Sequence, residues 1–176
     1  LPIDFEGDVT IENFEDFDGG TADVVDNPDP DGINLSAEVG VIVRDGGATW
    51  SGSKIALSEN LDFSEHTVIT MKVYTTAPAG TPVKLKLEGA LPFTEVDAFT
   101  TTSAEWETLE FVFVGTGDHL NELVFMFDFG TVGDGSENST FYFDDIEQVA
   151  GPPAPIPASL PLDFESGTVS SDFLDF

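Results

Sequence analysis

Residues 1–17 and 160–176 align without a gap at eight identical positions, from Leu1-Pro2 over Leu160-Pro161 to Asp16-Phe17 over Asp175-Phe176. A self-match at that separation means that the repeating unit is domain-sized, not a solenoid repeat of a few tens of residues. Between the copies, the nine residues Gly151–Ser159 hold four prolines, a composition that favours an extended, semi-rigid spacer over a packed segment. The expected organisation is one module over 1–150, a Pro-rich linker over 151–159 and the start of a second tandem copy over 160–176. A module of about 150 residues is long enough to enclose a single core.

What fills that core is read from periodicity. Sixteen Phe and frequent Val, Ile and Thr favour strands, and no segment carries a helical apolar period. Strand patterns are predicted over Ile3–Glu6, Phe14–Phe17, Ala22–Val25, Val39–Arg44, Trp50–Leu57, Val68–Thr75, Pro82–Glu88, Glu95–Thr101, Trp106–Val114, Glu122–Phe129 and Thr140–Gln148. Turn residues such as Asp45-Gly46-Gly47 and Ala77-Pro78-Ala79-Gly80 punctuate them. The pattern predicts an all-β fold, two antiparallel sheets packed as a jelly roll.

The net charge of −29 comes from 34 acidic and five basic residues. Such a field repels phosphate backbones and anionic membranes and attracts divalent cations, so no nucleic-acid partner and no membrane insertion are expected. Its main explanation is a solvated acidic surface suited to salty surroundings; the sharper one is that some carboxylates hold calcium, and the two are compatible. There is no cysteine, hence no disulfide and no thiol chemistry.

Alternation assigns faces. Ile55 and Leu57, Ile69, Met71 and Val73, and Val83, Leu85 and Leu87 go to the core. Trp50, Lys54, Lys72, Tyr74, Lys84, Lys86 and Glu88 go outward. Aromatic planes with Lys and Glu at their edges suit a sugar chain, whose ring faces are apolar and whose rims are polar. The same residues also read as an ordinary solvent face. Trp106 is expected in the core or as a second stacking platform; Phe93 and Phe99 are weaker candidates of the same kind.

Three acidic clusters could supply oxygen ligands for calcium: Asp4/Glu6/Asp8, Asp26–Asn34 and Asp144/Asp145. Asp144 alternates with Tyr142 and Ile146 and is expected to point inward, where a cation would offset its burial. Catalysis has little support, so no enzyme is expected. His66 and His119 sit in turn-like sequence, and some carboxylate pair of the glycosidase type is inevitable among 34 acids. No zinc spacing, nucleophile elbow or phosphate loop is present. Asn34-Leu35-Ser36 and Asn138-Ser139-Thr140 match the glycosylation triplet, which is common by chance.

The segments "LPIDFEG", "VVDNPDPDGINLSAEVGVIV", "ATWSGSKIALSENLDFSE", "MKVYTTAPAGTPVKLKLEG", "EWETLEFVF", "VFMFDFG" and "FYFDDIEQV" resemble β-sandwich carbohydrate-binding modules related to families 4, 9, 16 and 22. The likeness is to those appended to secreted polysaccharide-degrading enzymes and surface glycan-binding proteins of marine-type bacteria. It spans residues 1–149, with "DFEG" and "FYFDDI" its most telling marks. It implies a jelly roll with a structural calcium held by Glu6, the turn from Asp31 to Asn34, and Asp144. It also implies a non-catalytic module that binds a β-glucan-like chain, a xylan or a related chain; the lysines of the outward face admit an anionic marine glycan as well as a neutral one. Trp50 and Tyr74 fall at plausible stacking positions. The other expectation is a tandem structural repeat of an extracellular adhesin or filament, whose partners are neighbouring copies of the same module. Either places the chain outside the cell or on its surface.

Overall fold

The computed structural model describes residues 1–7 and 9–151; Asp8, the linker from residue 152 onward and the repeat at 160–176 lie outside the described residues. Eleven strands form among the described residues: β1 (Phe14–Phe17), β2 (Gly20–Asp26), β3 (Glu38–Gly46), β4 (Gly52–Ala56), β5 (Val68–Thr75), β6 (Pro82–Gly89), β7 (Thr94–Phe99), β8 (Glu107–Val112), β9 (Leu120–Phe127), β10 (Gly133–Asp134) and β11 (Thr140–Val149). All pairings are antiparallel. One sheet runs β1-β4-β9-β6-β7. The other runs β10-β3-β11-β5-β8, with β2 also paired to β3. The fold is the expected all-β two-sheet sandwich.

The predicted strands recur within a few residues of their places, with two exceptions. Ile3–Glu6 is no strand but a single bridge, Ile3 to Ile146, whose two hydrogen bonds measure 3.0 and 2.9 Å. The two-residue β10 has no alternation to read and was not predicted.

Phenylalanines fill the space between the sheets. Phe5, Phe111, Phe113, Phe125, Phe127, Phe141 and Phe143 are all at most 1% exposed. Phe143 lies 5.0 Å from Phe125 and 5.3 Å edge-on from Phe5, and Phe127 stacks on Phe141 at 5.0 Å. Such aromatic pairs add to the area term that drives burial. Gly40 of β3 admits two of these rings: a Cβ there would sit 2.7 Å from Phe5 and 2.9 Å from Phe143.

The inner faces of β4, β9 and β6 are the alternation set Ile55, Leu123, Phe125, Phe127, Val83, Leu85 and Leu87. The odd-even rule therefore sends Lys54, Glu122, Val124, Met126, Lys84, Lys86 and Glu88 to the outside of the five-stranded sheet. Val124 and Met126 are nonetheless only 4% and 6% exposed. An outward side chain that stays buried marks the floor of a concave surface.

Candidate functional site: a cleft on the five-stranded sheet

That concave face is a cleft of about 550 Å³, lined by Phe17, Trp50, Phe129, Val124 and Met126 and by Glu15, Asp18, Lys54, Lys86, Glu88 and Glu95. Its size falls within the ~300–1,000 Å³ typical of ligand sites. One end is aromatic. Trp50, in the β3–β4 loop, keeps 53% of its surface exposed. Its indole Nε1 donates to Asp18 Oδ2 at 2.7 Å. Asp18 sits in the β1–β2 turn at φ 52, and its carbonyl accepts from Ala48 N–H at 2.8 Å. Two turns thus hold the indole at its edge and leave a face free. Phe17 pairs across from Gly52, where a Cβ would sit 2.0 Å from the Phe125 carbonyl oxygen and 3.1 Å from the Phe17 ring.

Charged side chains stand around that floor. Lys54 reaches Glu122 at 3.5 Å and Glu15 at 3.6 Å. Lys84 bridges Glu95 at 2.9 Å and Asp97 at 2.8 Å, and stands 4.6 Å from the Phe129 ring centre. Lys86 pairs with Glu88 and stands 5.2 Å from the Phe93 ring centre. Burial pushes the Lys84 ammonium down, but hydrogen bonds to Asp97 and Glu95, with their charges, more than offset this and raise it above the ordinary lysine value. Every lysine of this face is committed to a carboxylate.

The structure therefore brings together Lys54, Lys84, Lys86 and Glu88, as alternation within each strand predicts, with Trp50, which lies in the β3–β4 loop and not in the strand expected for it. It separates Lys72 and Tyr74 from them, a correction to the single face expected. Both lie on β5, which belongs to the other sheet, so their outward side is the opposite surface of the sandwich. Lys72 pairs there with Asp145. Tyr74 packs 5.6 Å from Trp106 and 5.9 Å from Tyr142. Trp106 is 9% exposed, its Nε1 donating to the Asp29 carbonyl at 2.9 Å, so it packs on the outer surface of that sheet. Phe17 and Phe129 are cleft residues that sequence reasoning missed. Phe17 sits in a strand too short to show a period, and Phe129 reads as the end of the β9 run.

Of the four residues expected at a metal, Glu6, Asn34 and Asp144 gather at the Asn34–Glu38 turn and Asp31 stands apart. Asn34 and Asp144 are fully buried. Asp144 Oδ1 accepts from Asp145 N–H at 2.8 Å, while Asp144 Oδ2 and Asn34 Nδ2 have no partner. Burial pushes the Asp144 carboxyl up, against Ser36, the Asp145 N–H and Asn34, which favour its charged form. Glu6 docks on the same turn, its Oε1 accepting from Ala37 N–H at 2.7 Å and Glu38 N–H at 3.2 Å. Asp31 is exposed and bonds the N–H of Gly32. Among the described residues no three acidic or histidine side chains gather at metal-binding range.

Asp144 is not on the core side, as expected, but on the outer face with Tyr142. The irregularity between Asp144 and Glu147, with Asp145 at φ 44, shifts the strand's parity and returns Ile146 to the core. The remaining features do not form a catalytic constellation. His119 contacts the Pro92 carbonyl at 3.0 Å, and His66 lies against Gln148 through its backbone carbonyl.

The chain matches no protein-family model, and comparison with curated proteins finds no significant relative. Solved structures match its fold. A family 11 carbohydrate-binding module from Clostridium thermocellum, in complex with a β-1,3-1,4-mixed-linked tetrasaccharide, aligns with a TM-score of 0.57 at 16% identity, covering 85% of this chain and 94% of that one. The CBM22-1 xylan-binding domain of Xyn10C from Paenibacillus barcinonensis aligns with a TM-score of 0.52 at 17% identity, covering 85% and 92%. An exo-β-agarase aligns with a TM-score of 0.62 at 13% identity over 86% of this chain, which spans only 25% of the agarase chain. The fold is thus that of β-sandwich carbohydrate-binding modules, with members of families 11 and 22 among the structures it matches.

Proposed function

We propose that this module is non-catalytic and binds an uncharged polysaccharide in the cleft of the five-stranded sheet. One observation carries the reading: an exposed tryptophan, pinned at its edge by Asp18, presents a free face at the end of a groove with an apolar floor and polar rims. A pyranose chain needs that combination, since its ring faces stack on aromatics while its hydroxyls bond carboxylates and ammonium groups. A neutral chain is favoured over an anionic one by the charges. Glu15, Asp18, Glu88 and Glu95 outnumber Lys54 and Lys86 in the lining, and both lysines already have carboxylate partners. A sulfated or uronate chain would meet net repulsion. A purely structural repeat has no use for such a groove.

Calcium belongs to the same reading. The orphaned, fully buried Asp144 Oδ2 is costly as it stands, and a hard cation would satisfy it. Asp144, the Asn34 side-chain oxygen and Glu6 would hold it, with carbonyl oxygens completing the shell. Its contribution would be structural, tying the Asn34–Glu38 turn to β11. No helix among the described residues is long and apolar enough to cross a membrane, and a polysaccharide ligand fits a module working outside the cell.

Isothermal calorimetry with neutral β-linked gluco- and xylo-oligosaccharides, alongside a uronate oligomer, tests the proposal. Saturable binding of a neutral chain, lost when the cleft is altered, is expected. Binding of none of them overturns the glycan reading, and binding of the uronate alone overturns the charge argument.

A further inference from the structure

Arg44 is the single arginine of the chain and is fully buried, the largest side chain to be so. It belongs to β3, in the sheet that does not carry the cleft, and reaches across the end of the sandwich. Its Nε donates to Ser51 Oγ at 3.0 Å and to the Ser51 carbonyl at 3.3 Å. Nη1 donates to the Asp128 carbonyl at 2.8 Å; Nη2 donates to the carbonyls of Thr131, Thr49 and Ala48 at 2.6, 3.2 and 3.3 Å. The Asp128 carboxylate stands 3.7 Å from Nη1. The acceptors come from two loops, Ala48–Ser51 with Trp50 inside it, and Asp128–Thr131 with Phe129 inside it. These loops meet directly as well, Gly130 N–H donating to the Thr49 carbonyl at 2.9 Å.

We propose that Arg44 is the positioning residue of the cleft: its guanidinium fixes the two loops whose aromatic residues, Trp50 and Phe129, form the cleft's end. The inference rests on the glycan reading of that cleft. Five carbonyls turned toward one buried point need donors, and only the planar fork of arginine supplies them in that geometry. Lysine offers one ammonium with three donors; an apolar side chain takes a donor from all five carbonyls, and leaves those of Ser51 and Thr131, which have no other donor among the described residues, unpaired. A loop released in this way turns Trp50 from a fixed platform into one that must be ordered when the sugar arrives, which costs affinity.

The test uses a Trp106→Phe parent, in which Trp50 is the only tryptophan. Arg44→Lys is placed on it, and two quantities are read: acrylamide quenching of Trp50 in the free protein, and affinity for a β-1,3-1,4-linked glucotetraose. Expected are a retained β-sheet circular dichroism spectrum, stronger quenching, and a loss of affinity of about tenfold or more, the size seen when an anchoring aromatic is compromised. If the variant is partly unfolded, both readings are repeated in trimethylamine N-oxide, which restores the folded fraction without replacing the hydrogen bonds. Quenching and affinity within about twofold of the parent, once the protein is folded, overturn the proposal. If the parent itself binds no tetraose, the glycan reading has failed for that probe, and the quenching alone decides whether Arg44 holds the loop.

Discussion

Truncating Trp50 to alanine is the sharpest perturbation of the cleft. The indole keeps 53% of its surface exposed in the free protein. A tryptophan offers roughly 200 Å² to burial, so about 100 Å² is left for a ligand, mostly on one ring face. If a stacked pyranose covers roughly 80 Å² of it, then at about 25 cal/mol per Å² the contact is worth ~2 kcal/mol. That corresponds to about a thirtyfold loss of affinity for Trp50→Ala, measurable by calorimetry or affinity electrophoresis. The fold should barely respond. The ring is outside the core, and the lost bond to Asp18 is exposed, worth about 0.5–1 kcal/mol. Trp50→Phe keeps a stacking face while losing Nε1, and should recover most of the affinity. An affinity for Trp50→Ala within about threefold of wild type, in a folded protein that binds glycan, would refute the stacking argument.

Other outcomes follow from the same geometry. A chelator should lower the melting temperature and calcium at 100 times its Kd should add about 2.7 kcal/mol, because only the folded chain gathers the ligands; a melting point indifferent to both excludes the ion. Asp144→Asn should abolish that calcium response, yet be at least as stable as wild type in chelator, since it removes a buried charge without a partner; urea titrations with and without calcium separate the two. Gly40→Ala forces a methyl group to within 2.7 Å of Phe5 and 2.9 Å of Phe143 and should cost ~1–3 kcal/mol by chemical denaturation. The folded pKa of Lys84 is raised, so its ion pairs contribute fully below the ordinary value of 10.5 and are lost as pH rises through the folded pKa. The alkaline fall in stability should accordingly be smaller in Lys84→Met, as read by denaturation at a series of pH values.

Much of this was legible in the residues because it is local. Strict alternation sends Ile55, Met71, Val73, Leu85 and Leu87 inward, and the structure buries them all. It also sends Lys54, Lys84 and Lys86 outward in their own strands, for the physical reason that successive side chains of a strand point to opposite faces. The class of fold follows from repeated short strands with turns between them. What alternation does not contain is which sheet each strand joins. Lys72 and Tyr74 obey the same period as Lys86, yet β5 pairs with β11 and β8 while β6 pairs with β9 and β7. Pairing is decided by contacts far apart in the chain, so only the tertiary structure puts Lys72 on the opposite surface. It likewise decided that Ile146 and not Asp144 turns to the core, through a strand irregularity that leaves no sign in hydrophobicity, and the place of Arg44, whose acceptors are mostly main-chain carbonyls. Backbone oxygens are the same at every position, so no sequence reveals where five of them will meet; that depends on how the loops close over the end of the sandwich.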